Sequence, residues 1–182
     1  VKINKIFSPT RHRWLKLPLS SWQYHGWLIE KGSLTARLQQ KYCDFYVKPV
    51  SIRYQKPTFE EATLLRMAAN ERAQIREVLL YGKGKPVVFA HSVLPRRSLQ
   101  GEWRSLGRLG NKPLGAVLFA SPEVKRTPLS YKKLTANHAL YQQAMRYVAD
   151  KPDYLWARRS IFSLNCASIM VVEVFLPNLI QP

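Results

Sequence analysis

The clearest pattern along the chain is a pair of alternating apolar segments, IREVLLYG and KPVVFAHSVLP, on either side of Gly82–Lys83–Gly84. Period-two alternation broken by glycine predicts an antiparallel hairpin over Ile75 to Pro95. It sets Arg76, Val78 and Leu80 on one face and Glu77, Leu79 and Tyr81 on the other. A second pair lies near the end of the chain, where DYLWARRSIF and ASIMVVEVFLP, separated by SLNC, read as two more strands. There Val171, Glu173 and Phe175 share a face, opposite Met170, Val172 and Val174. The same alternation separates Arg158 from Arg159, so one of the two points inward. YCDFYVKPVSIRY also reads as extended, with Pro49 favouring an edge or a break.

Helical signals fill the gaps. Ser33 is placed to cap LTARLQQ, whose Leu34 and Leu38 fall four apart on one face. Ser21 precedes a short helical or turn segment carrying Trp22, Trp27 and Leu28. Residues 60–70, EEATLLRMAAN, suit a short helix. LGRLGNKPLGAVLF begins as loop and turns helical near Pro113, where backbone amides could serve an anion. In ANHALYQQAMRYV, Ala136 to Val148, Leu140, Ala144 and Val148 form one stripe and Tyr141 and Met145 its neighbour. The expected fold is α+β: one domain over residues 1–182, an antiparallel sheet with helices covering it and flap-like segments over a buried site. A basic arm occupies about the first 20 residues.

Charge changes the picture more than composition does. Lys and Arg total 29 against 11 Asp and Glu, a formal +18. Such a field suits nucleic acid, an anionic membrane surface or an acidic small substrate. The cations are spread, with short clusters at Arg11–Arg13, Arg96–Arg97 and Arg158–Arg159, and no nucleic-acid-binding module is recognisable. No run reaches the roughly 18 apolar residues of a membrane-spanning helix, and the start lacks an apolar signal region. These features lead us to expect a soluble cytoplasmic protein without integral membrane association. Cys43 and Cys166 read as two buried thiols, since two cysteines do not make a disulfide scaffold at this length. No CxxC, HExxH or close His/Cys pair suggests a metal site.

Glu173 is the residue most in need of a reason. It sits in ASIMVVEVFLP between Val172 and Val174, and a buried lone carboxylate is expensive without a partner. Arg158, Arg159 or Arg76 could pair with it, or it could face a ligand. Arg76, set among apolar neighbours, likewise reads as a structural ion-pair partner or an anion ligand. His91, in VVFAHSVLP, reads as a neutral core histidine whose polar atoms are satisfied.

Taken together and in order, EKGSLTARL, IREVLLYGKGKPVVFAHSVLP, LGRLGNKPLGAVLF, LWARRSIF and VVEVFLP resemble the chorismate pyruvate-lyase family. The resemblance implies a cofactor-independent lyase that eliminates pyruvate from chorismate to give 4-hydroxybenzoate at the entry to ubiquinone biosynthesis. It implies no metal and no organic cofactor. It assigns Arg76 to a substrate carboxylate and Glu173 to the ring hydroxyl, the two catalytic positions. Leu114 becomes a pocket residue contacting ligand through its main chain, and Leu34, where some members carry methionine, an apolar wall. A monomer is expected, with a dimer as the alternative, and no nucleic-acid partner despite the charge. The segment between Phe119 and Trp156 exceeds the compact family pattern, so ANHALYQQAMRYV could lengthen a flap, make a dimer contact or cover core. The competing reading is a non-catalytic ligand-sensing domain, because a related-looking fold serves some bacterial transcription regulators.

Overall fold

The alternating segments form the middle of a seven-stranded sheet. The structure is a computed structural model and describes residues 13–110, 112–149 and 151–181, with backbone alone at Arg108. The strands are β1 (Tyr46–Gln55), β2 (Ala73–Gly82), β3 (Lys85–Pro95), β4 (Lys125–Arg126), β5 (Ser130–Leu134), β6 (Leu155–Leu164) and β7 (Ala167–Phe175). They run in the order β1-β2-β3-β7-β6, with β4 and β5 both paired to β6, and every pairing is antiparallel. The β2–β3 turn places Lys83 at φ 52° and Gly84 at φ 68°. Asp44 holds that turn by accepting both backbone N–H groups, from Lys83 at 2.9 Å and Gly84 at 2.8 Å. Pro49 lies where the β1–β2 register shifts, on the edge strand where a missing donor does little harm.

Six helices flank the sheet: α1 (His25–Leu28), α2 (Leu34–Lys41), α3 (Phe59–Leu64), α4 (Arg96–Gln100), α5 (Leu114–Leu118) and α6 (Ala139–Ala144), with short 3-10 turns beside several of them. Ser33 caps α2 by accepting from the Ala36 amide. Thr58 and Glu61 form a capping box at α3, which stops at Leu65, well short of residue 70. The next residue, Arg66, takes φ 50°.

The two sheet faces carry different cores. Val78, Leu80, Val88, Trp156 and Phe175 on the front face pack against Trp27, Leu28, Leu34 and Leu38 of α1 and α2. Also on the front face, Leu94, Phe162 and Ile169 meet Trp103, Leu106, Leu114 and Leu118. The back face carries Ile75, Leu79, Phe89, Val93, Met170, Val172 and Val174 under Leu140, Tyr141 and Ala144 of α6. Each such aliphatic residue contributes about 1.5–3 kcal/mol on full burial. The segment ANHALYQQAMRYV therefore covers core on the back face. It contributes no flap to the front.

One expectation about burial needs correction. Cys43 and Cys166 are both free and exposed, one after α2 and the other in the β6–β7 turn. Strands β4 and β5 arise from a stretch without clear alternation, since β4 is two residues long. The N-terminal arm is described only from residue 13; its earlier part lies outside the described residues.

Candidate functional site

Front-face side chains of β2, β3 and β7 build a polar site between the two front cores. Arg76 of β2 stands opposite Ser92 of β3, and Ser92 opposite Val171 of β7. Glu173 stands opposite Ala90, which is opposite Val78. Arg76 and Glu173 thus share one face, two strands apart and offset by two residues, roughly 12 Å between Cα atoms by strand geometry. Both line a narrow cavity of about 40 Å³, walled by Leu34, Val78, Ala90, Leu114 and Val171.

Arg76 is 2 % exposed and makes no ion pair among the described residues. Its Nη2 donates to the carbonyls of Gly110 and Lys112, at 3.1 and 3.0 Å, tying the glycine-punctuated loop to the sheet. Its Nε is buried without an acceptor. Burial pulls the guanidinium below its ordinary pKa. A buried cation with an unused donor is costly unless an anion joins it. The loop before α5 thus offers carbonyls to Arg76.

Glu173 has a protein partner. Arg158, fully buried on β6 directly opposite it, donates from Nε to Glu173 Oε2 at 2.5 Å. Arg158 Nη1 donates to the carbonyls of Trp27, Leu28 and Glu30 at 2.9, 3.3 and 2.7 Å. It fastens the end of α1 to the sheet and fixes the Glu173 carboxylate, whose side chain stays 15 % exposed and borders the cavity. Of the paired arginines, Arg158 points to the front. Arg159 faces the back, bonded to Glu60 and stacked 4.2 Å over Trp14.

Leu34 and Leu114, 2 % and 7 % exposed, sit at the N-termini of α2 and α5 and roof the cavity. These helices approach closely because residue 115 is glycine: a Cβ there would meet Ser33 Oγ and Thr35 Oγ1 at 3.2 Å. Sequence reasoning missed Thr35 and Arg126, which also line the cavity. Arg126 on β4 donates to Ser160 Oγ at 2.9 Å and to the Lys31 carbonyl at 2.8 Å. Its guanidinium lies 5.4 and 5.0 Å from the rings of Phe119 and Phe162. A two-residue strand gives alternation no room to flag it.

His91 belongs to the back face. Nε2 meets Glu61 at 2.9 Å and Nδ1 meets Glu77 at 3.3 Å. Burial opposes the charged ring, but hydrogen bonds to the two carboxylates and their negative charge outweigh it, raising the pKa to about 9. The polar atoms are satisfied as expected, while the raised pKa favours a charged ring over the neutral one expected. His91 lines a different cavity, of about 420 Å³, together with His138 of the α6 cap. Among the described residues no cluster of His, Cys, Asp and Glu is arranged to hold a metal ion, and no helix is long and apolar enough to cross a membrane.

The family model described as chorismate lyase matches residues 10–181. A probable chorismate pyruvate-lyase from Nitrosospira multiformis is 50 % identical over 157 residues, covering 86 % of this chain and 87 % of the relative. One of the same description from Methylobacillus flagellatus is 43 % identical over 171 residues, covering 94 % and 96 %. Among solved structures, the effector domain of PhnF from Mycobacterium smegmatis is similar with TM-score 0.57 and 13 % identity, over 81 % of this chain and 90 % of that one. A GntR-family transcriptional regulator from Bacillus cereus gives TM-score 0.55 at 12 % identity, over 76 % and 96 %. These two likenesses concern the fold.

Proposed function

The chain belongs to the chorismate lyase family, and from that premise we propose that it eliminates pyruvate from chorismate to form 4-hydroxybenzoate, as the entry step of ubiquinone biosynthesis. The observation that carries this reading is Arg76: a buried guanidinium without a carboxylate partner among the described residues, lining the same cavity as Glu173. An anionic ring compound supplies the missing charge. Its carboxylate takes the Arg76 donors through charge-assisted hydrogen bonds. Its ring hydroxyl faces Glu173, and Leu34, Val78 and Leu114 hold the ring between them.

The reaction breaks the ether bond between ring and enolpyruvyl group. The ring carbon bearing the hydroxyl loses its proton, and those electrons complete the aromatic sextet. The released enolpyruvate takes up a proton and becomes pyruvate, so the atoms of chorismate divide between two products with no change of oxidation state overall. In this reading the protein orients the substrate and stabilises developing charge without a cofactor. Arg158 supports the step by holding the Glu173 carboxylate in place.

The cavity of about 40 Å³ is far smaller than the roughly 300 Å³ at the lower end for small-molecule sites. Admission therefore requires α2 and α5 to part, and reclosure leaves the ring in a dry pocket. This reading takes the protein as a monomer in the cytoplasm. The test is to incubate purified protein with chorismate and no added metal or nucleotide, then quantify both products by chromatography. Equal amounts of 4-hydroxybenzoate and pyruvate, well above an enzyme-free control, are expected. Chorismate bound and recovered unchanged would replace this reading with a ligand-sensing one.

A further inference from the structure

The surface beyond the outer edge of β5 serves neither the front cavity nor the cores. Leu15 pairs with Tyr131 of β5 through two backbone bonds of 2.7 and 2.9 Å, fixing the chain against that edge. The segment that follows turns outward. Leu17, Leu19 and Trp22 are 65, 66 and 87 % exposed, three large apolar side chains within six residues. Ser20 and Trp22 hold φ of 56° and 36°, a backbone that non-glycine residues seldom adopt, so the outward turn is a defined conformation.

Cations stand beside these side chains. Leu19 and Ser20 border a cavity of about 450 Å³ whose lining includes Arg13 and Lys133 and the carboxylate of Asp153; Lys132, also in its wall, is buried. Lys133 Nζ lies 4.4 Å from the centre of the Tyr154 ring and 5.2 Å from that of Trp156. Lys16 is exposed next to Leu17.

We infer that this end of the molecule docks on an anionic lipid bilayer. Leu17, Leu19 and Trp22 enter the boundary between headgroups and acyl chains, where tryptophan is favoured and aliphatic area leaves water. Arg13, Lys16 and Lys133 meet the lipid phosphates, and the formal +18 of the chain supplies attraction at longer range. The combination is what selects a bilayer. Phe59 is equally exposed, at 89 %, but its neighbours are Glu60 and Glu61, which repel an anionic surface. Single-stranded nucleic acid would use the cations and could stack on Trp22, but the exposed Leu17 and Leu19 beside it offer a base no flat platform.

The test is vesicle flotation with the full chain, using phosphatidylcholine alone and phosphatidylcholine with one third phosphatidylglycerol, at low and high salt. Retention on the anionic vesicles should exceed that on neutral ones by roughly tenfold or more and fall with salt. Leu19→Ser combined with Trp22→Ser should lower it by roughly tenfold, and Lys133→Glu should lower it separately. All three positions are away from the front cavity, so thermal melting and chorismate turnover serve as independent checks of folding. Equal retention on both vesicles, binding undiminished in the double variant, or displacement from vesicles by a single-stranded oligonucleotide would each overturn the inference.

Discussion

Glu173 and Arg158 stand directly opposite one another across β6 and β7, and a 2.5 Å bond from Nε to Oε2 joins them on the front face of the sheet. The pair explains why a carboxylate is tolerated in an otherwise apolar strand. It also distinguishes the roles of the two buried front-face arginines. Arg158 has its carboxylate within the protein; Arg76 has none among the described residues.

Arg158→Met tests the first half of that statement. The variant leaves Glu173 and the carbonyls of Trp27, Leu28 and Glu30 without their donor. Breaking a buried pair from one side costs about 3–5 kcal/mol, so urea denaturation should show a loss in that range. Arg158→Lys should recover only part of it, since an ammonium does not reproduce the guanidinium fork.

Arg126 lines the cavity beside the rings of Phe119 and Phe162, and its positive charge lies near Glu173. Chorismate carries two carboxylates and 4-hydroxybenzoate one. Arg126→Met is therefore expected to raise KM for chorismate by roughly tenfold, the scale of one exposed-to-buried charge contact, while product affinity changes less. Steady-state kinetics with product inhibition measures both in one series.

The His91 cluster gives a pH prediction. The folded pKa of His91 is raised to about 9, so its stabilising contribution is fully present below the unfolded value near 6.5 and is lost as pH rises through 9. Glu61 is lowered: burial alone would raise it, but its bonds to His91 and Thr58 prevail. Its contribution is present above the ordinary carboxylate range and is lost as pH falls through the depressed value. Stability from this cluster is thus greatest between about 4.5 and 6.5. Melting curves from pH 6 to 10 should decline for the wild type and be flatter for His91→Gln.

Alternation showed much of this in the sequence. It placed Arg76 with Val78 and Leu80, set Glu173 with Val171 and Phe175, and separated Arg158 from Arg159, because strand faces follow period two whatever the neighbours. It did not identify the neighbours. That Arg158 meets Glu173 depends on the β6–β7 register, and that Arg76 holds Gly110 and Lys112 depends on a loop crossing the sheet. The position of α6 was undecided because an apolar stripe tells which side is buried, not which face of the sheet it covers. Cys43 and Cys166 were misplaced by composition: cysteines are often buried, but these two occupy a helix exit and a hairpin turn.

The central claim is that Arg76 is kept for a ligand carboxylate. The direct measurement is the equilibrium affinity of 4-hydroxybenzoate for the wild type and Arg76→Met, by isothermal titration calorimetry at one pH and salt concentration. Loss of a buried charge-assisted contact predicts affinity weaker by about 2–4 kcal/mol, or roughly 30- to 1000-fold, with a folded variant. Equal affinity in the two proteins would contradict the account and assign Arg76 to holding the loop at Gly110 and Lys112 alone.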